Sequence, residues 1–453
     1  DLVKISSDND NGFFCKNMVA LLRNAALCSL WSKIALSTIN RRALTTTSRL
    51  LKDIHEKVSY PGAAESHFTS EMKFIQSIAP IPTYRVMDRH GKIIDPTQEP
   101  QVSKEFAVKI YKDMITLNIL DFILYEAQRQ GRISFYMTNY GEEAYIGSAA
   151  GLDSQDVIFG QYRESGVLLY RGFTLDSFMN QCYSNEKDTG KGRQMPIHYG
   201  SKELHFQTIS SPVATQLPQA SGAAYALKRD GKKNCIMCYF GDGAASEGDF
   251  HAALNVAATM KCPVIFFCRN NGFAISTPAL EQYKGDGIAS RGIGYGIDTI
   301  RVDGNDVWAV YNATKAARQL AVGEHRPVLI EAMTYRVSHH STSDDSFAYR
   351  SKKEVEYWKQ LDNPIVRFRK WLENKNWWNE HEENSFRTSA RKDILNAFSK
   401  AEKLSKPSVT DLFNDVYDCP PQNIIDQRKK LKTLIEKYPD NYPLKNYKNE
   451  AIT

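Results

Sequence analysis

The sequence predicts a doubly wound α/β protein with a mostly parallel sheet, and three observations carry that expectation. Strand and helix patterns alternate through the middle of the chain, the order that builds parallel sheets. The run CIMCYFGDGAASEGDFHAALNVAATMKCPVIFFCRNNGFAIS, from Cys235 to Ser276, reads as a buried strand, a Gly-Asp-Gly turn, a helix of small residues and a second buried strand. That second strand ends at Asn270-Asn271, so a carboxylate and an amide fall at the carboxyl ends of two neighbouring parallel strands, where open α/β sheets bind ligands.

Along the chain the elements follow in order. Between Asn11 and Lys52 there is no Asp or Glu, while Lys16, Arg23, Lys33, Arg41, Arg42, Arg49 and Lys52 alternate with Leu, Ala, Ser and Thr. Residues 1–52 therefore read as upstream residues and a mitochondrial presequence, with Met18 as the expected start. Residues 53–101 are polar and punctuated by Pro61, Pro80, Pro82, Pro96 and Pro100, an extended arm suited to wrapping a partner. The α/β domain is expected over 102–355. It opens with a helix over Lys104–Gln130, stopped by Gly131, and a small-residue helix around Glu142–Gly151 leads to a strand at Val157–Phe159. Later come a strand at Ile297–Val302, a helix over Val307–Val322 stopped by Gly323, and a strand at Pro327–Thr334. Residues 356–453 read as a charged helical region with Trp358, Trp371, Trp377 and Trp378 as packing anchors.

The totals narrow the function. A chain of 453 residues with 42% hydrophobic and 24% charged residues can bury a large core. The net charge of +6 comes mostly from the amino end, so nothing points to nucleic acid as a partner. No apolar run approaches the roughly 18 residues of a membrane span. The eight cysteines show no disulfide rhythm. Cys235 and Cys238 form a C-x-x-C, but both lie in an apolar strand with no second ligand pair, so they read as core residues.

Chemistry concentrates around the Gly-Asp-Gly turn. Asp242 and Asn271 offer hard oxygens for Mg²⁺, which commonly keeps one or two carboxylates and fills its octahedron with phosphate and water. Glycine lets backbone approach a diphosphate closely, and the next helix aims N–H groups at the anion. Arg163 and Arg269 are candidates for forked contacts to phosphate, or else ion-pair residues. The loop Tyr335–Asp345 follows another strand and brings His339 and His340 to the same crevice, where a histidine can shuttle protons near neutral pH.

The strand–GDG–helix–strand–NN run resembles the thiamine diphosphate fingerprint. The segments QYRESGVLLYRGF (161–173), TISSPVATQLPQASGAAYA (208–226), FFCRNNGFAISTP (266–278) and HHSTSDDSFAYRS (339–351) carry the likeness further. From about residue 55 onward the chain resembles alpha subunits of the decarboxylating component of mitochondrial 2-oxoacid dehydrogenase complexes. His339-His340-Ser341, in place of a Tyr-His-Gly-His-Ser type loop, favours the branched-chain branch over its pyruvate-using sibling.

The resemblance implies a mitochondrial matrix enzyme that decarboxylates branched-chain 2-oxoacids and passes the acyl group to a lipoyl arm. It implies that Asp242, Asn271 and the Phe273 carbonyl hold Mg²⁺. It implies that Tyr162, Arg163, Ser211, Gly243, Ala244, Arg269 and His340 contact thiamine diphosphate, with His340 catalytic. Ser210, Pro212, Thr215 and Gln216 match a K⁺ site, and Ser341 and Ser351 match two regulatory phosphorylation serines. The implied partners are a beta subunit that completes the active site in a heterotetramer, a lipoyl-bearing transacylase core, and a kinase and phosphatase. A pyruvate-using alpha subunit and a non-catalytic scaffold are the alternatives. Asp242 departs from the Glu frequent in the branched-chain branch, which leaves the metal in place but bears on its distance or affinity.

Overall fold

The computed structural model describes residues 57–58, 66–67, 72–76 and 79–448; the expected presequence and start lie outside them. The chain divides into two units, 1–78 and 79–453. In the first, β1 (Lys57–Val58) pairs antiparallel with β2 (Ser66–His67).

The second unit is built on a seven-stranded sheet. Its strands are β3 (Thr83–Tyr84), β4 (Val157–Phe159), β5 (Phe206–Gln207), β6 (Ile236–Gly241), β7 (Val264–Asn270), β10 (Asp298–Asp303) and β11 (Val328–Met333). A small hairpin of β8 (Phe273–Ala274) and β9 (Thr277–Pro278) stands apart from it. The spatial order is β3-β10-β11-β7-β6-β4-β5, and all neighbouring strands run parallel.

Alternation along the central strands explains the layers. Met237, Tyr239, Ile265 and Phe267 face one core, while Ile236, Cys238, Phe240, Val264, Phe266 and Cys268 face the other. Both faces are covered, which is why these strands read as unbroken apolar runs. Cys235 and Cys238 fall in opposite cores, and burial pushes both thiols well above their ordinary range. The C-x-x-C is packing.

The expected elements form within a residue or two of their predicted ends, with instructive departures. The long helix spans Lys104–Arg129, capped by the Ser103 hydroxyl, which accepts from Phe106 N. The helix over Val307–Glu324 runs through Gly323 and stops at His325, whose φ of 52° is left-handed. Glu143–Tyr145 is a 3₁₀ turn before the short helix Ile146–Ala150.

Residues 79–101 belong to the second unit: β3 extends the sheet edge beside β10, and Val86 and Met87 are buried. Their N–H groups donate to Asp306 Oδ2, at 2.8 and 2.6 Å, while Asp306 Oδ1 caps the helix that begins at Val307. Proline spacing says nothing of this anchoring. At the other end, Phe368 and Trp371 pack edge-on against Trp308 at 5.1 Å. The carboxyl-terminal helices Pro364–Asn374 and Glu380–Glu402 thus join the main core. Apolar residues spaced three and four apart on a charged background hid how deeply these helices are buried.

Candidate active site

Four strands adjacent in the sheet end at one crevice. Gln161–Arg163 follow β4, Asp242 follows β6, Asn271 follows β7, and the loop with Arg336 and His340 follows β11. They line a cavity of about 440 Å³ together with Ser211, Gly243, Ala244, Phe273 and Ala274. Every residue expected to contact thiamine diphosphate or Mg²⁺ is among its lining.

Asp242 is almost fully buried, and burial first of all raises its carboxyl to about 6. Its Oδ2 accepts from Gln282 Nε2 at 3.0 Å. Asn271 donates from Nδ2 to Glu142 Oε1 at 3.1 Å and accepts at Oδ1 from Phe273 N at 3.2 Å. Gly243 lies so close to the β8 backbone that an added Cβ would sit 2.8 Å from the Ala274 Cβ. Glycine is needed there for space, since its backbone is helical.

Arg269 makes the densest set of contacts. Its Nε and Nη2 donate to Glu164 Oε1 at 3.0 and 2.6 Å, and its Nη1 to Glu142 Oε2 at 2.7 Å. Burial opposes the charge, but Glu164 and Glu142 outweigh it and hold the guanidinium well above its ordinary value. Arg269 therefore combines both sequence readings: it lines the cavity while paired with two carboxylates. Glu164 also accepts at Oε2 from the Gln161 and Tyr162 N–H groups at 2.7 and 2.9 Å. One carboxylate thereby ties the turn after β4 to the end of β7.

Arg163 donates through Nη1 to the Thr138 carbonyl at 2.6 Å and through Nη2 to the His340 carbonyl at 2.7 Å. His340 Nδ1 lies 3.2 Å from both Arg163 Nη2 and Arg336 Nη1. Guanidinium can only donate, so Nδ1 is the acceptor and the ring proton sits on Nε2. Burial, then Arg163 and Arg336, push the His340 pKa down to about 2. In this arrangement the ring is neutral and carries its N–H on Nε2. The Tyr162 ring meets it edge-on, 5.9 Å between centroids.

The remaining expected residues lie around the cavity. Ser211 Oγ is 2.8 Å from His198 Nε2, another lining residue. Ser210, Pro212, Thr215 and Gln216 occupy the segment entering the helix Gln216–Arg229 and are not in the lining. Gln216 is buried and donates to the Tyr239 carbonyl at 3.0 Å. Ser341 is buried, with Oγ accepting from Ser343 N at 3.2 Å. Ser351 is exposed and caps the helix Lys352–Leu361.

Sequence reading missed Glu142, Glu164, Arg336 and His198. Glu164 directly follows Tyr162-Arg163, and a carboxylate beside a phosphate candidate was the available clue. Glu142 carried none. Among the described residues no three His, Cys, Asp or Glu side chains cluster as metal ligands. A single carboxylate joined by an amide and a carbonyl is instead a set that leaves phosphate to complete a hard cation's shell.

The fold is a parallel α/β sheet with a polar cavity at the carboxyl ends of its central strands. The chain belongs to the dehydrogenase E1 component family, whose model matches residues 111–410. It is 56% identical over 94% of its length to the mitochondrial 2-oxoisovalerate dehydrogenase subunit alpha of Macaca fascicularis, covering 96% of that protein. With the subunit of Homo sapiens it shares 58% over 87% of its length and 89% of the relative's. With subunit alpha 1 of Arabidopsis thaliana it shares 55% over 88% and 86% respectively.

Proposed function

We infer that this chain is the alpha subunit of a mitochondrial, thiamine diphosphate-dependent 2-oxoisovalerate dehydrogenase, acting in the oxidative decarboxylation of branched-chain 2-oxoacids. The observation that carries this reading is the convergence of Asp242, Asn271, Arg163 and His340 from four neighbouring strand ends on one cavity. When bound, thiamine diphosphate supplies the nucleophilic carbon and the electron sink for decarboxylation.

The residues present fit that group. Asp242, Asn271 and the Phe273 carbonyl would hold Mg²⁺ against its diphosphate. Arg163, Arg269, Ser211, Tyr162 and the Gly243-Ala244 backbone would bind the phosphates, with Arg163 and Arg336 adding positive potential. Glu142 and Glu164 keep Arg269 charged and its reach fixed, so the anion meets an oriented donor. His340 keeps its proton on Nε2 and would stabilise charge by donating that N–H during acyl transfer. Ser210, Pro212, Thr215 and Gln216 would hold K⁺, ordering the segment that carries Ser211.

The described residues contain one seven-stranded α/β sheet. A beta subunit would complete the site, including the carboxylate that activates the cofactor, and a transacylase core would present the lipoyl arm. A kinase and phosphatase acting on Ser341 would switch the loop. Phosphate there adds up to about two charges near Asp344, whose Oδ2 accepts from His340 N at 2.7 Å. Repulsion from that carboxylate would free His340. Ser351 already caps a helix N-terminus, where phosphate is electrostatically welcome, so its modification should leave activity intact.

The test is co-expression with a beta chain, followed by thiamine-dependent decarboxylation across a panel of 2-oxoacids. Preference for 2-oxoisovalerate is expected. Preference for pyruvate would favour the sibling reading, and absence of turnover would favour a scaffold.

A further inference from the structure

The loop that carries His340 is backed by a group outside the cavity lining. Asp121 lies near the middle of the long helix Lys104–Arg129 and is fully buried. Its oxygens accept from Tyr136 Oη at 2.9 Å, Asn139 N at 2.5 Å and Asn139 Nδ2 at 3.1 Å. All these donors come from one irregular stretch, residues 136–139, which has no helix or strand to hold it.

That stretch and the residues after it are the backing of the loop. Thr342 N donates to the Tyr136 carbonyl at 3.0 Å, and Thr342 Oγ1 accepts from Tyr136 N at 3.1 Å. Thr138 Oγ1 donates to Ser338 Oγ at 2.6 Å, and Val337 N to the Tyr140 carbonyl at 3.0 Å. Arg163 bridges the same two segments through Thr138 and His340. The bonds bracket His340 on both sides, at 337–338 and at 342.

We propose that Asp121 is a positioning residue for His340: it fixes residues 136–139 to the long helix, and they in turn fix the loop 337–342 at the cavity. The hydrogen bonds of Asp121 stop short of the cavity lining, so its mechanical hold on the loop passes through this relay. The inference rests on the reading of His340 as a site residue. A carboxylate suits the task because two oxygens can accept several donors at once, whereas an amide in its place must turn an N–H toward at least one of them.

The test uses the assembled enzyme with its beta subunit, comparing Asp121→Asn and Tyr136→Phe with the parent. Amide hydrogen exchange is read at Val337 and Thr342 and, as a control, along β6 and β7. The expected result is exchange about tenfold faster at Val337 and Thr342, as for loss of one buried hydrogen bond. Exchange in β6 and β7 should not change, and KM for thiamine diphosphate should rise by a similar factor. Unchanged exchange at the two loop amides, or acceleration equal in β6 and β7, would overturn the proposal. Faster loop exchange with unchanged KM and kcat would also overturn it, by severing the relay from His340. If Asp121→Asn does not fold, Tyr136→Phe decides by the same criteria. Failure of the functional reading is separately visible, as a parent enzyme without thiamine-dependent turnover.

Discussion

Replacing Glu164 by Gln keeps the shape of the side chain and removes one charge from the centre of the site. Glu164 is fully buried and accepts four hydrogen bonds, two from Arg269 and two from the backbone of Gln161 and Tyr162. A glutamine has one acceptor oxygen, so its Nε2 must face either the guanidinium or the two N–H groups. Removing one partner of a buried ion pair costs about 3–5 kcal/mol. Arg269 keeps Glu142 at 2.7 Å, so the lower end, about 3 kcal/mol, is expected. At about 2.1 cal/mol/K per residue over the second unit, that lowers Tm by about 4 °C. The assay is thermal unfolding of the assembled enzyme, with KM for thiamine diphosphate measured alongside. KM should rise because the turn bearing Tyr162 and Arg163 loses its tie to β7. A double-mutant cycle with Arg269→Met should show the pair costing less than the sum of its parts. A Glu164→Gln enzyme with Tm within about 1 °C of the parent and unchanged KM would refute this reasoning.

Further outcomes follow from the same geometry. Gly243→Ala places a Cβ 2.8 Å from that of Ala274 and must displace the hairpin bearing the Phe273 carbonyl; KM for Mg²⁺ should rise by about tenfold or more, and an unchanged value would contradict the metal assignment. His340 has a folded pKa near 2, below its ordinary 6.5, so between these values the unfolded chain binds the extra proton. Stability from this site is therefore full above about pH 6.5 and falls as pH drops through that window. The Tm advantage of the parent over His340→Asn should shrink between about pH 7.5 and pH 5, and a flat difference would contradict the neutral assignment. Phosphate on Ser341 should abolish lipoyl acylation while phosphate on Ser351 leaves it intact, read by single-site phosphorylation and product assay; equal inhibition by both would count against the loop mechanism.

Much of this arrangement was legible because its signals are local. The unbroken apolar runs at Cys235–Phe240 and Pro263–Cys268 announce central parallel strands, and a Gly-Asp-Gly turn between strand and helix places Asp242 at the binding edge without further information. Asn271, two residues past Arg269, follows from the same register. The relationships that resisted reading are those between distant segments. Glu142 meets Asn271 and Arg269 across more than a hundred residues, and nothing in its own neighbourhood marks it. His340 looks like a titrating histidine in a polar loop; its burial and the two guanidinium groups beside Nδ1 make it neutral. The anchoring of Val86 and Met87 by Asp306 is equally long-range.

The central claim is that Asp242 and Asn271 grip a divalent ion that secures thiamine diphosphate in this cavity. Isothermal titration of thiamine diphosphate into the assembled enzyme, with Mg²⁺ and then with chelator, tests it most directly. Saturable binding that requires Mg²⁺ and is lost in Asp242→Asn is predicted. Equal affinity under chelation, or full binding by Asp242→Asn, would contradict the account.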